Sequence, residues 1–139
     1  MRVVLDTNIL ISACLKPAGL EAHTVKLVVQ GTITACASKE VIAEYRQVLM
    51  RDKFAGLRAQ ALHLLDTLEP RLVKVHPTAI VIAARDPDDN RFLESAVAGQ
   101  AEFLITGNLR HFPPVYEFTE MVNARQFLTA RFPALVDSI

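Results

Sequence analysis

The apolar run Val3-Val4-Leu5 limits the fold more than any other feature, because it leads without a spacer into the carboxylate of Asp6. Three consecutive β-favouring residues are typical of a strand buried on both faces, as in a parallel sheet with helices on either side. The sequence therefore predicts that Asp6 lies at the carboxyl end of such a strand. In open α/β sheets, ligands bind in the crevice at that edge.

The residues after Asp6 leave two interpretations of this aspartate open. Thr7 and Asn8 are favourable N-cap residues, and the apolar run from Ile9 to Cys14 suits a helix that packs straight back onto the sheet. Asp6 then either serves a functional site or only caps this helix. The segment by itself does not decide between the two.

Length and composition predict a single soluble domain. A chain of 139 residues can bury roughly two thirds of its unfolded surface in one core. Hydrophobic residues make up 51% of the chain, which argues against disorder. Lys plus Arg and Asp plus Glu number 15 each, so a polyanion would have to be held by a local patch. No apolar run approaches membrane-spanning length, and the expected location is the cytoplasm.

Strand and helix patterns alternate along the chain. The predicted strands cover residues 3–5, 32–37, 71–75, 103–106 and 118–122. A predicted helix follows the Asp6-Thr7-Asn8 segment, and two more begin after the caps Ser38 and Asn123. Helices are also predicted over residues 20–30, 57–68 and 90–99, the last closed by Gly99. This order predicts a three-layer α/β/α sandwich with a central, mainly parallel sheet. One domain is expected over residues 1–139, with a helical arm at about 39–69 that stands off the sheet.

Three acidic side chains are predicted to meet at the carboxyl edge of this sheet. Asp6 follows the first strand, and Glu44 lies three residues after Val41, on the edge of the buried stripe of its helix. Asp89 opens the next helix in register with Leu93, so its side chain should also point toward the sheet. A carboxylate that faces inward needs a partner.

The neighbouring acids Asp86 and Asp88 are interpreted first as helix-capping residues. Negative charge at the start of a helix is favoured by the backbone dipole, and Pro87 holds Asp86 outside the helix. The same interpretation applies to Asp89, though less well because of its inward register. Asp86 and Asp88 are therefore considered only as possible supplementary acids of the site.

Crowded carboxylates raise one another's pKa, so this cluster needs a compensating positive charge. Arg85 or Arg91 could supply it. Oxygen ligands without a nearby His or Cys select Mg²⁺ or Mn²⁺ rather than Zn²⁺. Such ions keep bound waters and meet substrate phosphates, which points to metal-assisted phosphate chemistry.

With these motifs the chain resembles the PIN-domain proteins, of the kind found as ribonuclease toxins in bacterial and archaeal toxin–antitoxin pairs. The resemblance covers almost the whole chain, and the order and spacing of the motifs are more specific than any one of them. The motifs are Val3 to Asn8; Ser38, Val41, Glu44 and Val48-Leu49; Asp89 with Leu93 and Ala96; and Leu104 to Gly107.

The resemblance implies roles for individual positions. Asp6, Glu44 and Asp89 match the family's metal-binding acids, and Thr106 matches the hydroxyl residue beside them. Asn108 stands where the pattern usually has a fourth Asp. Because an Asn oxygen can coordinate but carries no charge, one ion is expected to bind better than two. Asp86 or Asp88 could restore the missing charge.

The predicted function is a metal-dependent endoribonuclease, with Thr106 and Asn108 orienting the attacking water. The alternative is a catalytically weakened PIN-like module that binds RNA or protein, since Asn108 reduces the charge of the site. The chemistry would act on DNA as well as RNA. An antitoxin partner and a homodimer are implied by the resemblance, and no membrane association is expected.

Cations on the helical arm are candidate RNA phosphate contacts, although each could also be an ordinary solvated charge. They are Arg46, Arg51, Lys53 and Arg58. The four histidines stand apart from the acids in sequence, and they are expected to be structural or surface residues. They are His23, His63, His76 and His111.

Overall fold

Six strands form one sheet in the computed structural model, which describes residues 1–139. They are β1 (Arg2–Leu5), β2 (Thr34–Ser38), β3 (Val73–Val75), β4 (Phe103–Ile105), β5 (Val115–Tyr116) and β6 (Thr119–Val122). The strand order is β3-β2-β1-β4-β6-β5, and only the β5–β6 pair is antiparallel. The predicted mainly parallel sheet is confirmed.

Seven α-helices flank this sheet. They are α1 (Thr7–Leu15), α2 (Leu20–Val29), α3 (Lys39–Leu49), α4 (Arg58–Leu68), α5 (Asn90–Gly99), α6 (Ala124–Arg131) and α7 (Pro133–Asp137). Helix α5 packs across β1, β2 and β4, whereas α1, α2 and α4 pack against one another. The arrangement is the predicted α/β sandwich. None of the helices is long and apolar enough to cross a membrane.

The central strand β1 sets the position of the site. Val3, Val4 and Leu5 are completely buried, as their unbroken apolar run predicts. Leu5 lies opposite Ile105 in the parallel pairing of β1 with β4. The residues that follow these two strands, Asp6 and Thr106, are consequently neighbours at the carboxyl edge of the sheet.

Two predicted helix caps are confirmed. The Ser38 hydroxyl accepts a hydrogen bond from the Val41 N–H at the start of α3. Asn123 and Gln126 form a reciprocal capping box that starts α6. Both caps depend on residues within one helical turn, which is why the sequence predicts them.

Helix α5 ends at Gly99, as predicted. The left-handed residue that caps it is Gln100, with φ 51°, rather than the glycine. A Cβ atom at Gly99 would lie 2.8 Å from Cys36 Sγ on β2. The glycine is therefore required by the close approach of α5 to the sheet rather than by a turn.

Residues 39–69 do not stand off the sheet as a helical arm, in contrast to the prediction, but contribute to the core. Tyr45 and Leu49 of α3 are buried, and α3 lies against β2 and α1. Helix α4 buries Ala61, Leu64 and Leu68 and packs on α1 and α2. A 3₁₀ segment, Asp52–Leu57, separates the two helices.

Residues 76–84, which the sequence leaves unassigned, form an extended loop held by α5. The side-chain oxygen of Asn90 accepts from the N–H groups of Ala83 and Ala84. Within this loop Val81 is buried, whereas Ile82 is 88% exposed. The β5 strand and α7 were not predicted, because two and five residues are too few to show a periodic pattern.

Candidate functional site

Asp6 lies almost completely buried at the junction of β1 and β4, with 6% of its surface exposed. Thr106 Oγ1 donates to Asp6 Oδ2 over 2.7 Å, and Asn8 Nδ2 donates to the same oxygen over 3.2 Å. The backbone of Asp6 occupies the N-cap position of α1, but its side chain makes no capping hydrogen bond. Helix capping therefore does not account for this carboxylate.

Glu44 approaches from α3 and is held on both of its oxygens. Thr7 donates from its hydroxyl to Oε2, and Arg91 Nη1 lies 3.5 Å from Oε1. The Glu44 side chain is 18% exposed, in agreement with its predicted place on the edge of the buried stripe. Thr7, expected only as a helix cap, thus links α1 to the acidic residue of α3.

Arg91 is the compensating cation that the crowded carboxylates require. Besides Glu44, it approaches Asp88, whose Oδ1 lies 3.5 Å from Arg91 Nη2. The other candidate, Arg85, is exposed and forms no ion pair. Only one of the two predicted arginines therefore neutralises the cluster directly.

Asp89 has a partner that the sequence interpretation missed. His111 Nδ1 lies 3.3 Å from Asp89 Oδ2, so the prediction that His111 stands apart from the acids is wrong. A 3₁₀ turn, Leu109–His111, folds the chain after β4 back over the site. Three residues show no periodicity from which such a turn could be predicted.

Asn8 is a second residue of the site that was expected only as a cap. Its Oδ1 accepts from the Gly107 N–H over 3.1 Å, while its Nδ2 contacts Asp6. One amide therefore ties the segment after β1 to the segment after β4. The indication in the sequence is that Asp6, Thr7 and Asn8 follow β1 directly, as three consecutive polar residues.

Tyr45 stabilises the end of β1 that carries Asp6. Its hydroxyl donates to the Leu5 carbonyl at the end of β1, and the side chain is 1% exposed. Burial, followed by the charges of Asp6 and Glu44, raises the pKa of the phenol well above its ordinary value. The tyrosine consequently stays neutral and acts as a hydrogen-bond donor beneath Asp6.

Burial raises the pKa of two acids of the site, Asp6 and Asp89. It raises the pKa of Asp6 from 3.8 to about 6; the Thr106 hydrogen bond opposes this rise, and the charges of Asp89 and Glu44 add to it. Burial also raises the pKa of Asp89, and the hydrogen bond from His111 opposes that rise. The site therefore favours uptake of a proton or a cation.

The remaining candidate acids lie at the margin. Asp86 accepts from the Asp88 N–H over 3.0 Å and so caps the 3₁₀ turn Pro87–Asp89, in the manner of the capping interpretation. The Asp88 side chain is 78% exposed. Asn108 is exposed and contributes its backbone N–H, which donates to Thr106 Oγ1 over 2.9 Å.

Two of the four candidate RNA contacts have intramolecular partners. Arg46 forms a two-point ion pair with Glu69, and Arg58 donates to the Met50 carbonyl at the end of α3. Arg51 and Lys53 are exposed. The helical segment therefore presents fewer available cations than its sequence suggests.

The chemistry of the acidic trio suits a hard divalent cation. Carboxylate oxygens are the ligands that Mg²⁺ and Mn²⁺ prefer, and a cation would stabilise the Asp6 carboxylate, whose pKa is raised by burial and by the charges of Asp89 and Glu44. No group of three His, Cys, Asp or Glu side chains is close enough to enclose a metal ion. Instead, Arg91 and His111 hold Glu44 and Asp89. The charge and the oxygen donors of these three residues fit a cation, but their side chains do not enclose a metal-sized space.

A family model described as the PIN domain matches residues 2–110, a range that includes Asp6, Glu44, Asp89 and Thr106. The chain therefore belongs to the PIN domain family. Over 111 residues it is 28% identical to the uncharacterized protein MJ1680 of Methanocaldococcus jannaschii, with 78% of this chain and 71% of that protein covered.

The fold also resembles a solved structure, VapBC2 from Rickettsia felis bound to a DNA fragment from their promoter. The TM-score is 0.56, and the match covers 87% of this chain and 98% of the other chain. Because sequence identity is 22%, this likeness shows the shared fold and nothing finer.

Proposed function

We propose that this protein is a divalent-metal-dependent endoribonuclease that hydrolyses RNA phosphodiester bonds. The observation that carries the proposal is Asp6, which accepts a hydrogen bond from Thr106 and has its pKa raised by burial and, to a smaller extent, by the charges of Asp89 and Glu44. Perturbed carboxylates grouped at the carboxyl edge of a parallel sheet are typical of functional sites. Membership of the PIN domain family supports the same reaction class.

Asp6, Glu44 and Asp89 are the residues that would hold Mg²⁺ or Mn²⁺. When bound, the ion would activate a water and neutralise charge on the scissile phosphate. Thr106 fixes one oxygen of Asp6, and Tyr45 anchors the strand end beneath it. Water adds to phosphorus while the bond to the leaving ribose oxygen breaks, and that oxygen takes up a proton. In this proposal Thr106 and Asn108 orient the attacking water.

The proposal includes a biological role as the toxin of a toxin–antitoxin pair. The similarity of fold to VapBC2 of Rickettsia felis supports it, and it implies an antitoxin protein as partner. We also propose a homodimer and, given an RNA target, action in the cytoplasm. Gel filtration with and without the co-expressed product of the neighbouring gene tests both assemblies, and a lone monomer in each case would contradict them.

Cleavage of a mixed-sequence fluorescent RNA tests the activity. The protein is incubated with Mn²⁺, Mg²⁺ or EDTA, and Asp6→Asn, purified in parallel, controls for contaminating ribonuclease. We expect cleavage that needs metal and disappears in the variant. Cleavage in EDTA, or equal cleavage by the variant, would overturn the proposal. Two inert but folded proteins that bind RNA would instead support the binding-module alternative, with Asn108→Asp as the variant to restore the charge.

A further inference from the structure

Two arginines whose backbone lies next to His111 are exposed and have no acidic partner. Arg85 and Arg110 are absent from every ion pair of the structure, whereas Arg91 is occupied by Glu44 and Asp88. Neither arginine makes a side-chain hydrogen bond. Their guanidinium groups are therefore available to a ligand.

The backbone brings these two arginines together beside Asp89. The Arg85 N–H donates to the His111 carbonyl over 2.8 Å, and Arg110 immediately precedes His111. His111 in turn contacts Asp89 through Nδ1. Residues 107–111 line a pocket of about 470 Å³ at this point. The backbone consequently places Arg85 and Arg110 next to His111, the residue that contacts Asp89.

Charge explains why cations are needed at this position. The formal net charge of the protein is zero, so no overall field attracts a polyanion. The site itself presents carboxylates, which repel phosphate. An RNA backbone that reaches Asp6 must therefore be held by cations close to the entrance.

The cations of the helical segment are less suitable. Arg46 and Arg58 have intramolecular partners. Arg51 lies beyond the end of α3, which closes at Leu49, and the Lys53 ammonium lies over the Phe54 ring, 5.1 Å from its centre.

We propose that Arg85 and Arg110 bind phosphates of the RNA that flank the scissile bond, and that they form the main part of the RNA footprint. This inference rests on the proposed function and names the surface by which the substrate is held. Guanidinium groups suit this role because they remain charged and can donate two hydrogen bonds to one phosphate.

The test measures RNA binding separately from cleavage. Asp6→Asn serves as a cleavage-blocked background, and binding of a fluorescein-labelled single-stranded RNA is followed by anisotropy in EDTA over a KCl titration. In this background we compare Arg85→Ala/Arg110→Ala with Lys26→Ala/Arg71→Ala. The control pair removes the same charge from exposed positions near the amino edge of the sheet, in the last turn of α2 and just before β3.

Each phosphate contact contributes about 0.7 to the slope of log affinity against log salt for single strands. We expect the Arg85/Arg110 variant to weaken binding and flatten the slope by about 1.4, whereas the control pair changes the slope little. An unchanged slope in a folded Arg85/Arg110 variant, or an equal change in the control, would overturn the inference. Failure of the parent protein to cleave RNA would count against the proposed function and leave this binding result intact.

Discussion

Thr106 Oγ1 donates to Asp6 Oδ2 over 2.7 Å, although the two residues lie 100 positions apart in the chain. They meet because β1 and β4 pair in parallel with Leu5 opposite Ile105. The hydrogen bond stabilises the ionised carboxylate and opposes the effect of burial on the Asp6 pKa. The ionisation of Asp6 is thus controlled by a neighbouring strand.

Replacing the donor should raise the pKa of Asp6 further. Thr106→Val keeps the shape of the side chain and removes the hydroxyl, so the ionised carboxylate loses its hydrogen bond. We expect the pKa to move above its present value of about 6, as followed by NMR titration of the Asp6 carboxyl carbon in EDTA. Thr106→Ser retains the donor and should stay near the wild-type value. An equal pKa in the Val and Ser variants would show that the hydroxyl has no such effect.

Asp6→Asn should stabilise the metal-free protein at neutral pH. The folded-state pKa of about 6 exceeds the ordinary 3.8, so the stabilisation that comes from the protonated carboxyl is complete below about pH 4 and is lost as pH rises through about 6. The difference between these two pKa values corresponds to a loss of roughly 3 kcal/mol in the free energy of unfolding of the wild type at pH 7.5. Because the amide of the Asp6→Asn variant cannot ionise, the variant does not lose this stability as pH rises.

Urea unfolding of the two proteins in EDTA measures the effect. We expect the free energy of unfolding of Asp6→Asn to exceed that of wild type near pH 7.5, with the difference shrinking toward pH 4. A variant that is less stable than wild type at pH 7.5 would contradict the raised pKa. Inclusion of EDTA matters, because a bound cation would stabilise the native wild type by mass action.

Gly99→Ala should destabilise the fold. The added Cβ would lie 2.8 Å from Cys36 Sγ and 2.9 Å from Cys36 Cβ, so α5 and β2 would have to move apart. Overpacking of this kind costs about 1–3 kcal/mol, more than the gain of up to about 1 kcal/mol from replacing glycine in a helix. Urea unfolding should therefore show a lower free energy of unfolding.

Gly56 offers a matched control for this substitution. A Cβ added at Gly56 meets no atom within 4 Å, so Gly56→Ala should leave the free energy of unfolding nearly unchanged. Equal effects at the two glycines would show that the close approach of α5 to β2 does not restrict position 99.

Local chemistry explains which parts of the structure could be predicted from the sequence. The apolar run of β1 and the caps at Ser38 and Asn123 depend on residues within a few positions of one another. The placement of Asp6 beside Thr106 also follows from the sequence, because parallel strands end at the same edge of the sheet.

The partners of the acidic side chains were decided by the tertiary structure. Arg91 rather than Arg85 neutralises Glu44, His111 reaches Asp89, and Asn8 joins two loops. Each contact depends on the path of a short turn or on the choice among several nearby cations. Differences of a few ångströms decide which side chains pair. The periodicity of strands and helices in the sequence does not indicate such small distances.

The sequence by itself determined the α/β order, the buried β1 strand and the acids at its edge, because periodicity and capping act over single turns and strands. Only the tertiary structure decided that Gly99 makes room for Cys36 and that Arg46 is bound to Glu69. It also decided that Arg85 and Arg110 come together at the backbone of His111. Such contacts join residues far apart in the chain, and their geometry exists only once the whole sheet and its helices have packed.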